Sequence, residues 1–149
     1  MTGFFLRPAR PTDAGRTGAI LSAFIDHTDW MPRIHTRAED LSFAADMIDR
    51  GWVTVAETAG TVVGFSAREA CMVHALYVDA RARGKGCGGA LLKQMQRATD
   101  TLTLWTFQHN TRAQAFYRHH GFAEMERTDG AGNDEGLPDL RMGWKRGRI

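Results

Sequence analysis

The stretch RARGKGCGGALL, residues 81–92, sets the tightest limit on what this chain can fold into. Glycine costs roughly 1 kcal/mol in a helix or strand interior. Here Gly84, Gly86, Gly88 and Gly89 crowd between two apolar segments. CMVHALYV (71–78) is rich in β-branched and aromatic residues and reads as a strand. Leu91, Leu92 and Met95 recur at helical spacing, so 88–99 reads as a helix. A strand that enters a helix through glycines, beside Arg81, Arg83 and Lys85, is suited to an anion. The helix N-terminus offers free N–H groups and a positive dipole end, and glycine lets the backbone approach a ligand closely. The expected ligand is a phosphate or pyrophosphate. Neither a G-x-x-x-x-G-K-[ST] loop nor a G-x-G-x-x-G register opening a βαβ unit is present. Taken alone, the stretch has a second, less favoured reading as a flexible turn with surface arginines.

The remaining chain supplies a regular order of elements. FFLRPA (4–9) reads as a first strand, and 12–26 as a helix with Thr12 as N-cap and Ala19, Ile20, Ala23 and Phe24 inward. Thr36 and Glu39 fit a capping box opening a helix over 37–50, with Leu41, Ala44, Ala45 and Ile48 on one face and Gly51 as its stop. WVTVAE (52–57) and TVVGFSA (61–67) form a hairpin around Gly60. TLTLWTF (101–107) alternates as a strand, 111–120 is a short helix closed by Gly121, and FAEMERT and DLRMGWK are the last strands. The order βααβββαβαββ predicts an α/β mixed sheet with helices on both faces.

With 149 residues and 43% hydrophobic composition, the chain is sized for one domain over 1–149 with an ordinary core. Its apolar runs are shorter than the roughly 20 residues of a membrane span, and the N-terminal stretch lacks the long apolar region of a signal peptide. A cytoplasmic protein with no membrane partner is expected, and Cys71 and Cys87 are expected to be reduced. The formal net charge of +2 does not call for nucleic acid.

LYVDARARGKGCGGALL resembles motif A of the GNAT superfamily of N-acetyltransferases, [QR]-x-x-G-x-[GA], with Arg83, Gly86 and Gly88 in its three positions. Arg81, Gly84 and Gly86 also match, but the spacing to the flanking elements favours the later register. NTRAQAFYRHHGF (110–122) resembles motif B through Asn110, Ala113, Phe116, Tyr117, Gly121 and Phe122. The resemblance implies the GNAT acyl-CoA N-acyltransferase fold, a mostly antiparallel central sheet splayed at the acetyl-CoA site. It also implies an acetyl-CoA-dependent N-acetyltransferase without a metal. Backbone groups of Leu76, Tyr77 and Val78 would pair with the pantetheine arm. The amides of Arg83, Gly84, Lys85, Gly86, Gly88 and Gly89 would hold the pyrophosphate, with Arg83 and Lys85 adding charge. Asn110 matches a position that bonds the pantetheine arm, and Tyr117 the general acid that protonates the departing thiolate.

Some protein-acetylating relatives carry a glutamate base where this chain has Trp105. His74 is therefore the expected base, ahead of Glu69, Glu57 and His109. A water chain is the alternative. The acceptor is expected between HTDWMPRIHT, with Trp30, Met31, Arg33 and His35, and the loop DGAGNDEGLPD, with Asp129, Asp134, Glu135 and Asp139. Trp105 and Phe107 would add an apolar wall, and the carboxylates would attract a cationic amine. Cys87, at a helix N-terminus where thiol pKa values fall, offers a second route through an acetyl-cysteine, but from inside the phosphate cradle. Direct attack in a ternary complex on a small-molecule amine is the favoured function. A protein or peptide acceptor and a non-catalytic acyl-CoA sensor are the alternatives, and a homodimer through a late edge strand is open.

Overall fold

The computed structural model describes residues 3–147. Its elements follow the expected order: β1 (Phe5–Pro8), α1 (Ala14–Asp26), α2 (Arg37–Asp49), β2 (Val53–Thr58), β3 (Thr61–Glu69), β4 (Met72–Val78), α3 (Cys87–Ala98), β5 (Thr101–Phe107), α4 (Thr111–His119), β6 (Ala123–Thr128) and β7 (Asp139–Lys145). Short 3₁₀ turns lie at Pro11–Asp13 and Ala80–Ala82. The seven strands form one sheet in the order β1-β2-β3-β4-β5-β7-β6. Every neighbouring pair is antiparallel except β4 and β5. Among the described residues no helix is long and apolar enough to cross a membrane.

The β4–β5 junction shapes the molecule. These parallel strands are joined at one residue pair, Met72 with Thr103, and the Thr103 N–H donates to the Cys71 carbonyl at 2.8 Å. Beyond it the strands part. The cause lies in β4. Ala67 pairs with Ala75 but Arg68 pairs with Val73, so His74 is an extra residue opposite β3. Such a bulge bends its strand and reverses which backbone groups face each neighbour.

Each face of the sheet is covered. Ile20 and Leu21 of α1 and Met47 and Ile48 of α2 pack on Val53, Val55, Phe65 and Ala75. On the other face Leu92 and Met95 of α3 and Tyr117 of α4 pack on Val73, Leu102, Leu104, Leu140 and Met142. The stripe read for α3 is correct, whereas those read for the first two helices hold in part: Ile20, Ala44 and Ile48 are buried. Ala19, Ala23, Leu41 and Ala45 are exposed, and Thr17, Gly18, Ser22 and Asp40 turn inward. The reason is close contact between α1 and α2. A Cβ on Gly18 would lie 2.9 Å from the Leu41 Cα, and the Ser22 hydroxyl donates to Asp40 at 2.6 Å. Apolar periodicity cannot register an interface built from small and polar residues.

Local signals fared better where backbone donors decide. The Thr36–Glu39 capping box is present in both directions, at 3.1 and 2.8 Å. Thr12 is not a cap: it lies in the 3₁₀ turn, and Asp13 precedes α1. The Asp13 carboxylate is gripped by Arg7 at 2.8 Å, which holds it below the usual carboxylate range. At the hairpin, Ala59 and Gly60 both have positive φ, as a two-residue turn matched to strand twist requires.

Gly64 marks where α3 meets β3. A Cβ there would stand 2.8 Å from the Cys87 sulfur and 3.2 Å from the Tyr77 carbonyl oxygen. Gly64→Ala is expected to lower stability by about 1–3 kcal/mol through overpacking, measured as a shift in the urea midpoint at constant slope. An unchanged midpoint would show that α3 can move away freely.

Candidate active site

The open end of the β4–β5 gap is the candidate site. Asp79 N–H donates to the Val63 carbonyl on β3 at 2.8 Å. By strand alternation the backbone of Tyr77 also faces β3, where it pairs with Phe65, while Leu76 and Val78 face the gap. The backbone role expected of Tyr77 therefore narrows to Leu76 and Val78. The Val78 carbonyl accepts the Arg83 Nε at 3.4 Å.

The loop after β4 is built from Asp79. Its carboxylate accepts the Arg81 amide at 2.9 Å and ion-pairs with Arg16 and Arg81. Hydrogen bonds from Arg81, then from Arg16, outweigh burial and hold this carboxyl far below the usual range. The chain then turns through Gly84 (φ +76°) into Gly86 (φ +91°), the N-cap of α3. These left-handed conformations favour glycine. The first helical bond is Ala90 N–H to the Gly86 carbonyl at 3.0 Å, so the amides of Cys87, Gly88 and Gly89 point out of the first turn. One expectation changes here. The Arg83 amide is used by the Ala80 carbonyl at 3.4 Å. A Cβ on Gly88 or Gly89 would come to 3.4 Å from the side chains of Phe116 or His120, an ordinary contact, so packing alone does not require glycine at either position.

Cys87 is buried under β3, and desolvation pushes its thiol up to about 11. Burial defeats the helix dipole, so the low-pKa nucleophile read from the sequence is absent. On α4, Asn110 Oδ1 caps the helix by accepting from the Ala113 N–H at 3.1 Å, which leaves its NH₂ for a ligand. Gln114, which the sequence reading missed, donates to the carbonyls of Phe107 and Gln108 at 3.2 and 2.9 Å and ties α4 to the end of β5. Tyr117 is 8% exposed and packs against Phe116 and Phe122. Burial, then the nearby Tyr77, raises its phenol well above the ordinary value, so it stays protonated.

The opposite face gathers the expected acceptor residues. His35 Nε2 lies 3.9 Å from Asp134 Oδ2, which brings the two loop segments together. Trp30 packs on Phe107 at 5.7 Å and on His109 at 6.0 Å between ring centroids. Trp105 is 42% exposed. Tyr77 sits between Phe24 and Phe65. Burial, then Glu135, pushes its phenol up to about 12. Three expected residues serve the loops instead. Arg33 commits four of its five N–H donors to Asp26, Asp40 and the carbonyls of Ser22 and His35 at 2.9–3.0 Å, so it serves chiefly to tie the loop to the helices. Asp139 is held by Thr128 and Asn133, and Asp129 by the Ala131 amide. Glu57 pairs with Arg7 at 3.2 Å. His74 stacks on Trp52 at 4.7 Å and meets Glu69 at 2.9 Å, at the apex where β4 leaves β5.

Residues 49–124 match the acetyltransferase (GNAT) domain model. The chain belongs to the GNAT acetyltransferase family. As a GNAT acetyltransferase it is an acyl-transfer enzyme, and its architecture recurs in solved structures. Apo-form YjaB from Escherichia coli is 23% identical with a TM-score of 0.81, over 97% of this chain and 99% of that one. Ribosomal-protein-alanine N-acetyltransferase from Brucella melitensis is 24% identical, TM-score 0.75, over 95% and 99%. The yncA protein of Salmonella typhimurium, solved with its cofactor acetyl-CoA, is 21% identical, TM-score 0.73, over 98% and 95%. At these identities the likeness is one of fold. No curated protein matches the sequence.

Proposed function

We propose that this GNAT enzyme moves an acetyl group from acetyl-CoA to the primary amine of a small molecule, by direct attack in a ternary complex. The observation that carries the reading is the β4–β5 gap, bordered by outward-pointing amides of α3 and faced by the backbone of Leu76 and Val78. Gly84, Lys85, Gly86, Gly88 and Gly89 would hold the pyrophosphate, with Arg83 contributing its side chain alone. The Asn110 NH₂ would bond the pantetheine arm.

Acetyl-CoA supplies the thioester. The Val78 N–H would steady negative charge on its carbonyl oxygen as the amine attacks. The C–N bond forms, the C–S bond breaks, Tyr117 gives its proton to the departing sulfur, and the amine's proton leaves through His74 or water. Trp30, Trp105 and Phe107 would exclude water on the acceptor face. Asp134 and Glu135 would draw in the amine, a cation near neutral pH with a pKa of about 8–10. A peptide amine offers the same group, and a fold neighbour is named for a ribosomal-protein alanine. The missing glutamate at Trp105 and the acidic loop favour the small molecule.

CoA release across a panel of small amines and peptides tests the reading. No release with any of them would leave a non-catalytic acyl-CoA sensor. With the best amine, Asp134→Asn combined with Glu135→Gln is expected to raise the amine KM several-fold at low salt and leave acetyl-CoA KM unchanged. The effect should shrink as ionic strength rises. Equal kcat/KM at low salt would reduce the acidic loop to a solvated connection.

A further inference from the structure

Arg141 has no role in the scheme above. Leu140 and Met142 enter the α3–α4 core, so alternation turns Arg141 to the opposite face, the acceptor face. There it stands in register with Trp105 of β5 and with Glu126 of β6. Its Nε is enclosed and, among the described residues, lacks a hydrogen-bond partner. The nearest carboxylate oxygen is that of Glu126, at a marginal 3.5 Å from Nη1. Buried polar groups are nearly always satisfied, and an exception calls for an explanation. The enclosed Nε cannot reach a ligand, but the side chain as a whole is 34% exposed and its Nη groups are only weakly engaged, so they are suited to a carboxylate, which they can grip through two parallel bonds. Trp105, half exposed beside it, supplies an apolar floor between Arg141 and the gap.

We propose that Arg141 binds a carboxylate carried by the acceptor, at a distance from the nitrogen that is acetylated. The spacing follows from the sheet. A nitrogen in the β4–β5 gap and a carboxylate over β7 lie on opposite sides of β5, and neighbouring strands are about 4.8 Å apart. Groups on a single carbon cannot bridge that. The acceptor class is therefore an ω-amino acid, with an apolar chain that crosses Trp105, its ammonium drawn by Glu135 and its carboxylate by Arg141. This deepens the proposed function and rests on the same acceptor face.

The test compares three probes by CoA release: 6-aminohexanoate, pentylamine, which lacks the carboxylate, and 2-aminohexanoate, which carries it beside the nitrogen. The wild type is expected to favour 6-aminohexanoate over each of the others by at least about tenfold in kcat/KM, the scale of one charge-assisted bond pair. Arg141→Gln should collapse the preference over pentylamine toward unity, through the acceptor KM, and leave acetyl-CoA KM unchanged. Arg141→Lys should restore part of it. A wild-type enzyme that treats 6-aminohexanoate and pentylamine alike overturns the inference and leaves the acetyltransferase reading intact. So does an Arg141→Gln enzyme that is less stable but keeps the full preference, since that is the mark of a structural arginine. If no amine in any panel releases CoA, the proposed function fails. Calorimetric binding of 6-aminohexanoate to the wild type and the Gln variant then decides the role of Arg141: equal or absent binding overturns it.

Discussion

Replacing Tyr117 by phenylalanine is expected to lower kcat by about 10²–10⁴-fold, the usual contribution of a positioned proton donor, with acetyl-CoA KM nearly unchanged. The substitution removes one oxygen and keeps a ring that packs between Phe116 and Phe122. The melting temperature should therefore move little. The pH dependence has a definite sign. Burial raises the Tyr117 phenol above its ordinary value of 10.0, so the acid form persists through neutral and mildly alkaline conditions. The wild-type kcat/KM should climb with pH as the amine loses its proton and should show no downturn from Tyr117 below about pH 10. The Phe variant should keep that climb at a lower plateau. Measurement of kcat with the best amine checks this, and an unchanged value would remove Tyr117 from the acid role.

Gly86→Val is expected to abolish acetyl-CoA binding, a loss of at least about a hundredfold measured by calorimetry. Gly86 has φ +91° at the N-cap of α3, and a β-branched residue resists that conformation by roughly 1–2 kcal/mol. Relief of the strain rotates the peptide planes on either side and turns the first-turn amides of α3 away from a common point. The control is Gly51→Val. Gly51 has φ +79° just past the end of α2, in the connection to β2 and not in the loop between β4 and α3. It should cost similar stability and leave binding intact. If Gly86→Val folds and still binds acetyl-CoA with wild-type affinity, the anion is held elsewhere. This position is a cleaner probe than Gly88, where a larger side chain would also strike Phe116.

The glycine turn into α3 was legible in the sequence because local backbone requirements write it. Glycines needed for positive φ and a helix that starts beside basic residues leave marks within a few residues. Gly84 and Gly86 adopt the positive φ those marks imply, whereas the Asn110 cap was not read from the sequence. At Cys87 local and tertiary settings disagree: a helix N-terminus predicts a lowered pKa, whereas burial beneath Gly64 raises it, in line with the preference for direct attack. Arg33 misled for a similar reason. Nothing local reveals that Asp26, Asp40 and two carbonyls surround it. Arg141 left one usable sign, the alternation in DLRMGWK that turns it away from the core. Its pairing with Trp105 depends on strand register between segments far apart in sequence.

By itself the sequence determined the order of elements, the αL turn into α3, the Thr36–Glu39 capping box and the family. Each rests on interactions among residues a few positions apart. Tertiary structure alone decided how α1 and α2 meet, which of Leu76, Tyr77 and Val78 turn their backbones to the gap, and which charged side chains remain free for a ligand. Those outcomes depend on register, on a single bulged residue at His74, and on desolvation. All three arise only when distant segments pack, where burial and pairing override the preferences of isolated residues.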